Sequence, residues 1–132
     1  MIGYFGKDII FETSDERILT FTDFNRDTAS RFAMHEVIGK KPTTEFVGPG
    51  LDTITFTVHL NGNNGVNPRE EMNKWLEYAR SGQAEILVVG VALGVDKWVV
   101  KSVSQAWGVV FNRGEIFSGK VDVTLEEYIS EL

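Results

Sequence analysis

Residues 45–68 read EFVGPGLDTITFTVHLNGNNGVNP, with a glycine cluster on each side of an alternating run. In DTITFTVHL, Ile54, Phe56, Val58 and Leu60 fall on one face, and Thr53, Thr55, Thr57 and His59 on the other. A period of two with β-branched residues on the polar side marks a half-buried strand. The flanking glycines then have two readings: a backbone cradle for a phosphate, or tight turns. A cradle needs GxxxxGK[ST] or GxGxxG leading into a helix. NGNNGVNP has neither spacing and no lysine to reach phosphate oxygens, and Pro68 removes a donor from the helix's first turn. Glycine and asparagine accept positive φ at low cost, so both clusters are read as turns. The stretch belongs to a β-scaffold rather than to a nucleotide site.

Working outward, the same alternation returns in IFSGKVDVTL, where Phe117, Val121, Val123 and Leu125 share a face with Gly119. Shorter strand-like runs lie near 8–12, 17–22, 30–38, 85–89 and 97–110. One segment has a different period: Met72, Trp75, Leu76 and Ala79 recur at i, i+3, i+4 and i+7, an amphipathic helix over about residues 68–81. Its ends agree. Asn67 stands at the N-cap, Pro68 at the first helical position, and Glu70 three residues after the cap in a capping-box-like arrangement. Glu70 and Glu71 complement the helix dipole, Arg80 lies in the last turn, and Gly82 is the residue that ends the helix. The expected class is α+β: an antiparallel β-sandwich or partly open barrel with one main helix.

The chain has 132 residues, 42% of them hydrophobic, which predicts a single domain over 1–132 with a modest core. With no cysteine there is neither a disulfide nor a thiolate metal site, in keeping with a reducing cytoplasm. MIGYFGKDIIFETSDER lacks the pattern of a secretory signal, so none is expected. The longest apolar run, ILVVGVALGV at 86–95, is about half of what a bilayer crossing needs, which argues against membrane insertion. A net charge of −6 with scattered basic residues, Lys40–Lys41 being the one adjacent pair, argues against nucleic-acid recognition.

The residues that could carry chemistry are equally sparse. His35 and His59 are isolated, with no HxH or HExxH partner, so no metal is expected. No serine sits in GxSxG or SxxK. The adjacent carboxylates, Asp15/Glu16 and Glu126/Glu127, lie in turn-like or terminal segments that read as solvated rather than buried general acids. No enzyme and no cofactor are expected. What stands out is aromatic–basic interleaving in FTDFNRDTASRF, with Phe21, Phe24 and Phe32 among Arg26 and Arg31. On an acidic chain this is the composition of a protein-binding surface. Candidate assembly residues are Phe21, Phe24, Arg26, Arg31, Phe32, His35, Lys40 and Lys41, within the segment 20–44. Glu126, Glu127 and Tyr128 of the acidic terminus VDVTLEEYISEL join them.

Taken in order, HEVIGKKPTTEFVGPGLDTITFTVHLNGNNGVNP, the helix, ILVVGVALGVDKWVVKSVSQAW and NRGEIFSGKVDVTLEEY resemble the tail protein U (GpU) family of contractile-tailed bacteriophages. Pro42, Glu45, Gly48, Gly50, Leu51, Asp52, Asn67, Pro68, Gly94, Trp107 and Tyr128 carry the likeness, which spans nearly the whole chain. One departure is VVGVALGV, where the family leads one to expect a tighter Gly-Gly turn. The resemblance implies a virion tail component, made in the host cytoplasm, with counterparts in contractile bacteriocins. It also implies a tail-tube-like fold and a structural role in tail assembly at the tube–baseplate region. The implied partners are hub, tube and baseplate components, with the chain oligomeric in the particle. Two rival readings are a β-barrel enclosing a small molecule and a peptidoglycan hydrolase; the second requires a catalytic constellation that the residue census does not supply.

Overall fold

The computed structural model describes residues 3–13, 18–62, 65–108 and 118–129. Nine strands and one helix lie along them: β1 (Gly3–Phe5), β2 (Ile9–Thr13), β3 (Ile18–Asp27), β4 (Ser30–His35), β5 (Thr43–Pro49), β6 (Thr53–Asn61), α1 (Pro68–Ser81), β7 (Glu85–Val89), β8 (Val91–Trp107) and β9 (Ser118–Tyr128). Seven of them form a ring in the order β1-β2-β3-β6-β9-β8-β7. It closes where β1 pairs antiparallel with β7, Gly3 opposite Val89 and Phe5 opposite Leu87. Every ladder in it is antiparallel. The antiparallel, β-rich α+β class is as expected, but the expected sandwich or partly open barrel is corrected to a closed one, because β1 and β7 pair and leave that ring no free sheet edge.

The central strand is the one the opening stretch predicts. Along β6, Ile54, Phe56, Val58 and Leu60 are buried, while the threonines and His59 face outward. On the polar side Thr57 Oγ1 donates to Asp122 Oδ1 at 2.6 Å, and Thr22 Oγ1 meets His59 Nε2 at 2.7 Å. β9 repeats the pattern with Val121, Val123 and Leu125 inward. Phe117, expected on the same face, lies outside the described residues, as do residues 109–110 of the predicted run 97–110.

The helix begins and ends as its punctuation requires: Asn67 Oδ1 accepts from Glu70 N at 3.3 Å, and Gly82 closes it in the left-handed conformation. Its buried face is turned from the expected one. Met72 and Trp75 are inside, but the next core residue is Tyr78; Leu76 and Ala79 are only half-buried. The reason is aromatic packing. Trp75 stacks on Phe5 at 5.5 Å and meets Phe56 edge-on at 5.7 Å, while Phe5 takes Tyr78 edge-on at 5.1 Å. Together with Phe11 and Trp98, both fully buried, these rings fill the interior of the ring of strands. Among the described residues these side chains make one packed hydrophobic core. In VVGVALGV the turn is made at Gly90 alone, with Val89 opposite Val91, so the tight turn expected there exists without a second glycine.

Candidate functional site

The two strands outside the ring make the site. β4 and β5 form a two-stranded sheet of their own. It prolongs the β3–β6 pair: Asp27 lies opposite Thr53 in the barrel, Gly50 N donates to Ala29 O at 2.7 Å, and Ser30 then lies opposite Pro49. One long hairpin thus starts in the barrel wall and ends beyond it as an arm. The close approach at its base explains Gly50, since a Cβ there would stand 2.9 Å from the Ala29 carbonyl oxygen. The reading of GPGLD as a simple turn is corrected accordingly: Gly48 and Pro49 end a strand, and Gly50 is the crossing point between arm and barrel.

The arm has an apolar and a polar face. Phe32 stands opposite Phe46 with the rings edge to face at 5.6 Å, and Met34 follows on the same side. Their relative exposures are 59%, 59% and 62%, and Ile38 at the tip is fully exposed at 102%. Val47, also exposed, is the extra residue of a bulge between the Arg31 and Phe32 pairings. On the other face His35 Nε2 lies 2.9 Å from Glu45 Oε2, both well exposed. Arg31 Nε donates to Pro49 O at 3.1 Å, and Lys40 and Lys41 carry the positive charge of the tip.

At the neck, charged groups fasten the arm to the barrel. Asp52 and Glu127, each only 7% exposed, exchange two bonds: Asp52 N donates to Glu127 Oε1 at 2.8 Å, and Glu127 N to Asp52 O at 3.0 Å. Arg26 closes the group with Nε 2.8 Å and Nη2 2.6 Å from Asp52 Oδ2, its guanidinium 5.7 Å over the Trp98 ring. Buried carboxylates are tolerated when charge-assisted bonds satisfy them in this way.

The predicted contact residues therefore separate into two groups. Phe32, Arg31, His35, Lys40 and Lys41 are exposed on the arm. Phe21 and Phe24 instead pack on the core, Phe21 edge-on to Phe11 at 5.0 Å and Phe24 stacked on Phe56 at 5.8 Å. Arg26 and Glu127 are the neck fastening, so the solvated reading of Glu127 is corrected. Glu126 is half-buried with Lys101 Nζ at 3.9 Å, and Tyr128 is exposed near the neck. Met34 and Ile38, within the predicted contact segment but not named in it, are exposed apolar residues, as are Phe46, Val47 and Leu51 outside it. Met34 and Phe46 alternate with polar residues as core-facing strand residues do, so nothing local marked them as uncovered, and Ile38 and Leu51 lie outside the strands. Glu127, by contrast, was legible, because it continues the inward parity of Val121, Val123 and Leu125.

The acidic pairs weighed for catalysis do not come together: Glu126 and Glu127 point to opposite faces of β9, and Asp15 and Glu16 lie outside the described residues. Among the described residues no three His, Cys, Asp or Glu gather as a metal site would require, and no helix is long and apolar enough to cross a membrane. None of the curated proteins matches the chain. A family description does, Phage P2 GpU, over residues 8–130, from the start of β2 through the whole arm, helix and neck. This protein belongs to the Phage P2 GpU family, a family of phage tail structural proteins.

Proposed function

We propose that this chain is a non-enzymatic building block of a contractile tail, of a phage or a headless bacteriocin, acting in assembly at the tube–baseplate region. Its barrel and single helix serve as a tail-tube-like module, and its neighbours are hub, tube and baseplate proteins. The observation that carries the reading is the β4–β5 arm, a sheet of two strands with an uncovered apolar face. A two-stranded ribbon is marginal alone in water. An exposed apolar face of this kind marks an interaction surface.

The magnitudes favour assembly over free association. Covering the arm's apolar side chains removes on the order of 500 Å² from water, about 12 kcal/mol gross at ~25 cal/mol/Å². The loss of rigid-body freedom on binding costs about 4–15 kcal/mol. One arm contact alone thus roughly breaks even, whereas several contacts made together on a growing tail are decisively favourable. The large buried aromatic side chains among the strands favour the structural reading over the ligand-binding alternative.

The test is electron microscopy of induced lysates from a strain lacking the gene, beside a complemented strain. Missing particles, stunted tubes or absent baseplates are the expected result. Intact, infectious or killing-competent particles in normal numbers would overturn the reading.

A further inference from the structure

We infer that the outer part of the arm, residues 32–46, is a folding unit of its own, which opens and closes in the free chain and becomes fixed only on docking. The inference rests on the proposed tail role and adds how the arm's engagement is regulated.

The arm lacks the support that the barrel gives its own strands. Each strand of the ring is bonded on both sides, whereas among the described residues β4 and β5 have only each other. From Ser30 to Val47 every residue is exposed except Ala33 and Val37, which are half-buried. The cross-strand contacts, Phe32 on Phe46 and His35 with Glu45, lie within the ribbon itself. A ribbon of two strands with no covering layer is marginally stable at best in water. Its turn adds little. Residues 36–42 join the strands, where a self-supporting hairpin uses two residues, and a longer loop costs more entropy to close.

The unit has a definite inner limit. Ser30 lies opposite Pro49 and Arg31 opposite Gly48; the ladder then breaks at the bulge before Phe32 meets Phe46, Ala33 Glu45, Met34 Thr44 and His35 Thr43. A bulge interrupts the ladder, so these outer pairings are separated from the two inner ones. The inner ones are held. Gly48 is buried, and a Cβ on it would stand 3.2 Å from Arg31 Nη2. Gly50 N bonds to Ala29 O, and Arg26, Asp52 and Glu127 tie the strand ends to the barrel. Fastening stops where burial stops.

This division regulates the arm. Its apolar face exists as a surface only while the outer pairings are closed, because they bring Phe32, Met34 and Phe46 to one side. Apparent affinity falls with the fraction of chains that are closed, so an arm closed about one-tenth of the time docks about tenfold more weakly than a fixed one. The free chain is thus held back from joining partners before a tail is present. On the tail several contacts form together, and docking closes the arm. The neck meanwhile keeps both ends of the opened segment tethered to the barrel.

Hydrogen exchange read by mass spectrometry tests this on the purified chain and on purified particles. In the free chain, amides of residues 32–46 should exchange within about tenfold of an unstructured peptide, while those of β6 and β9 are slowed on the order of 10³-fold or more. In particles the same arm amides should be slowed by about tenfold or more. A disulfide across a facing pair, Ala33→Cys/Glu45→Cys in a chain with no other cysteine, should slow them about as much in the free chain when oxidised and not when reduced. Arm amides as protected as those of β6 in the free chain overturn the inference. So do arm amides that stay fast in particles, or an oxidised variant that exchanges like the reduced one. Each of these leaves the tail role standing. Particles that lack the chain overturn the tail role itself, whatever the free chain shows.

Discussion

The neck fastening gives the sharpest energetic prediction, because its three charged groups differ in burial. Removing Arg26 leaves the Asp52 carboxylate, 7% exposed, without the cation 2.6 Å away and beside a second buried carboxylate, Glu127. Breaking a fully buried pair this way costs about 3–5 kcal/mol. The Arg26 side chain is 38% exposed, so water screens part of the interaction and about 3 kcal/mol is expected for Arg26→Ala. Asp52→Ala is gentler. It loses the two charge-assisted bonds but frees an arginine that can rehydrate while staying near Trp98, for a cost of about 1–2 kcal/mol. The double variant should then cost less than the sum, with a coupling of roughly 1.5 kcal/mol. Urea unfolding followed by tryptophan fluorescence measures all three. At a slope of about 1.5 kcal/mol per molar, Arg26→Ala shifts the midpoint by about 2 M. If Asp52→Ala costs as much as Arg26→Ala, or the two effects simply add, the pair does not fasten the arm as described.

Phe32→Ser/Phe46→Ser should leave the unfolding free energy within about 0.5 kcal/mol of the parent, since both rings are exposed, yet abolish particle assembly on complementation. A large loss of stability would mean that the arm packs within its own chain. Trp75→Ala should cost about 3–5 kcal/mol by opening a cavity among Phe5, Phe11 and Phe56, and a loss under 1 kcal/mol would contradict the packed interior. Tyr78 predicts an alkaline dependence. Burial, and then the charges of Asp8 and Glu85, make the native chain hold its phenolic proton up to about pH 12, whereas the unfolded chain releases it near 10. This contribution is fully present below pH 10 and lost as pH rises through 12, on the order of 1 kcal/mol once water around the phenolic oxygen screens part of it. Between pH 9 and 11 the urea midpoint should fall more steeply for the parent than for Tyr78→Phe; parallel curves would refute the assignment.

Features set by neighbours along the chain are legible in the primary structure. The helix limits follow from Asn67, Pro68 and Gly82, whose backbone preferences act within one turn. The inward faces of β6 and β9 follow from a strict period of two. The order of short motifs was enough to point to the family. Which apolar residues are covered depends instead on contacts between distant segments. Phe32 and Met34 alternate along β4 just as Phe56 and Val58 do along β6, but among the described residues none forms a second layer over the arm, and both stay exposed. Phe21 and Phe24 resemble Phe32 in their local setting and are covered because Phe11 and Phe56 come to them from other strands. Arg26, Asp52 and Glu127 look solvated because their partners lie 26 and 75 residues apart in the chain. Local preference sets the shape of each segment within a few bonds, while burial depends on groups brought together by the closure of the ring. The surface left for a partner is whatever that closure does not cover.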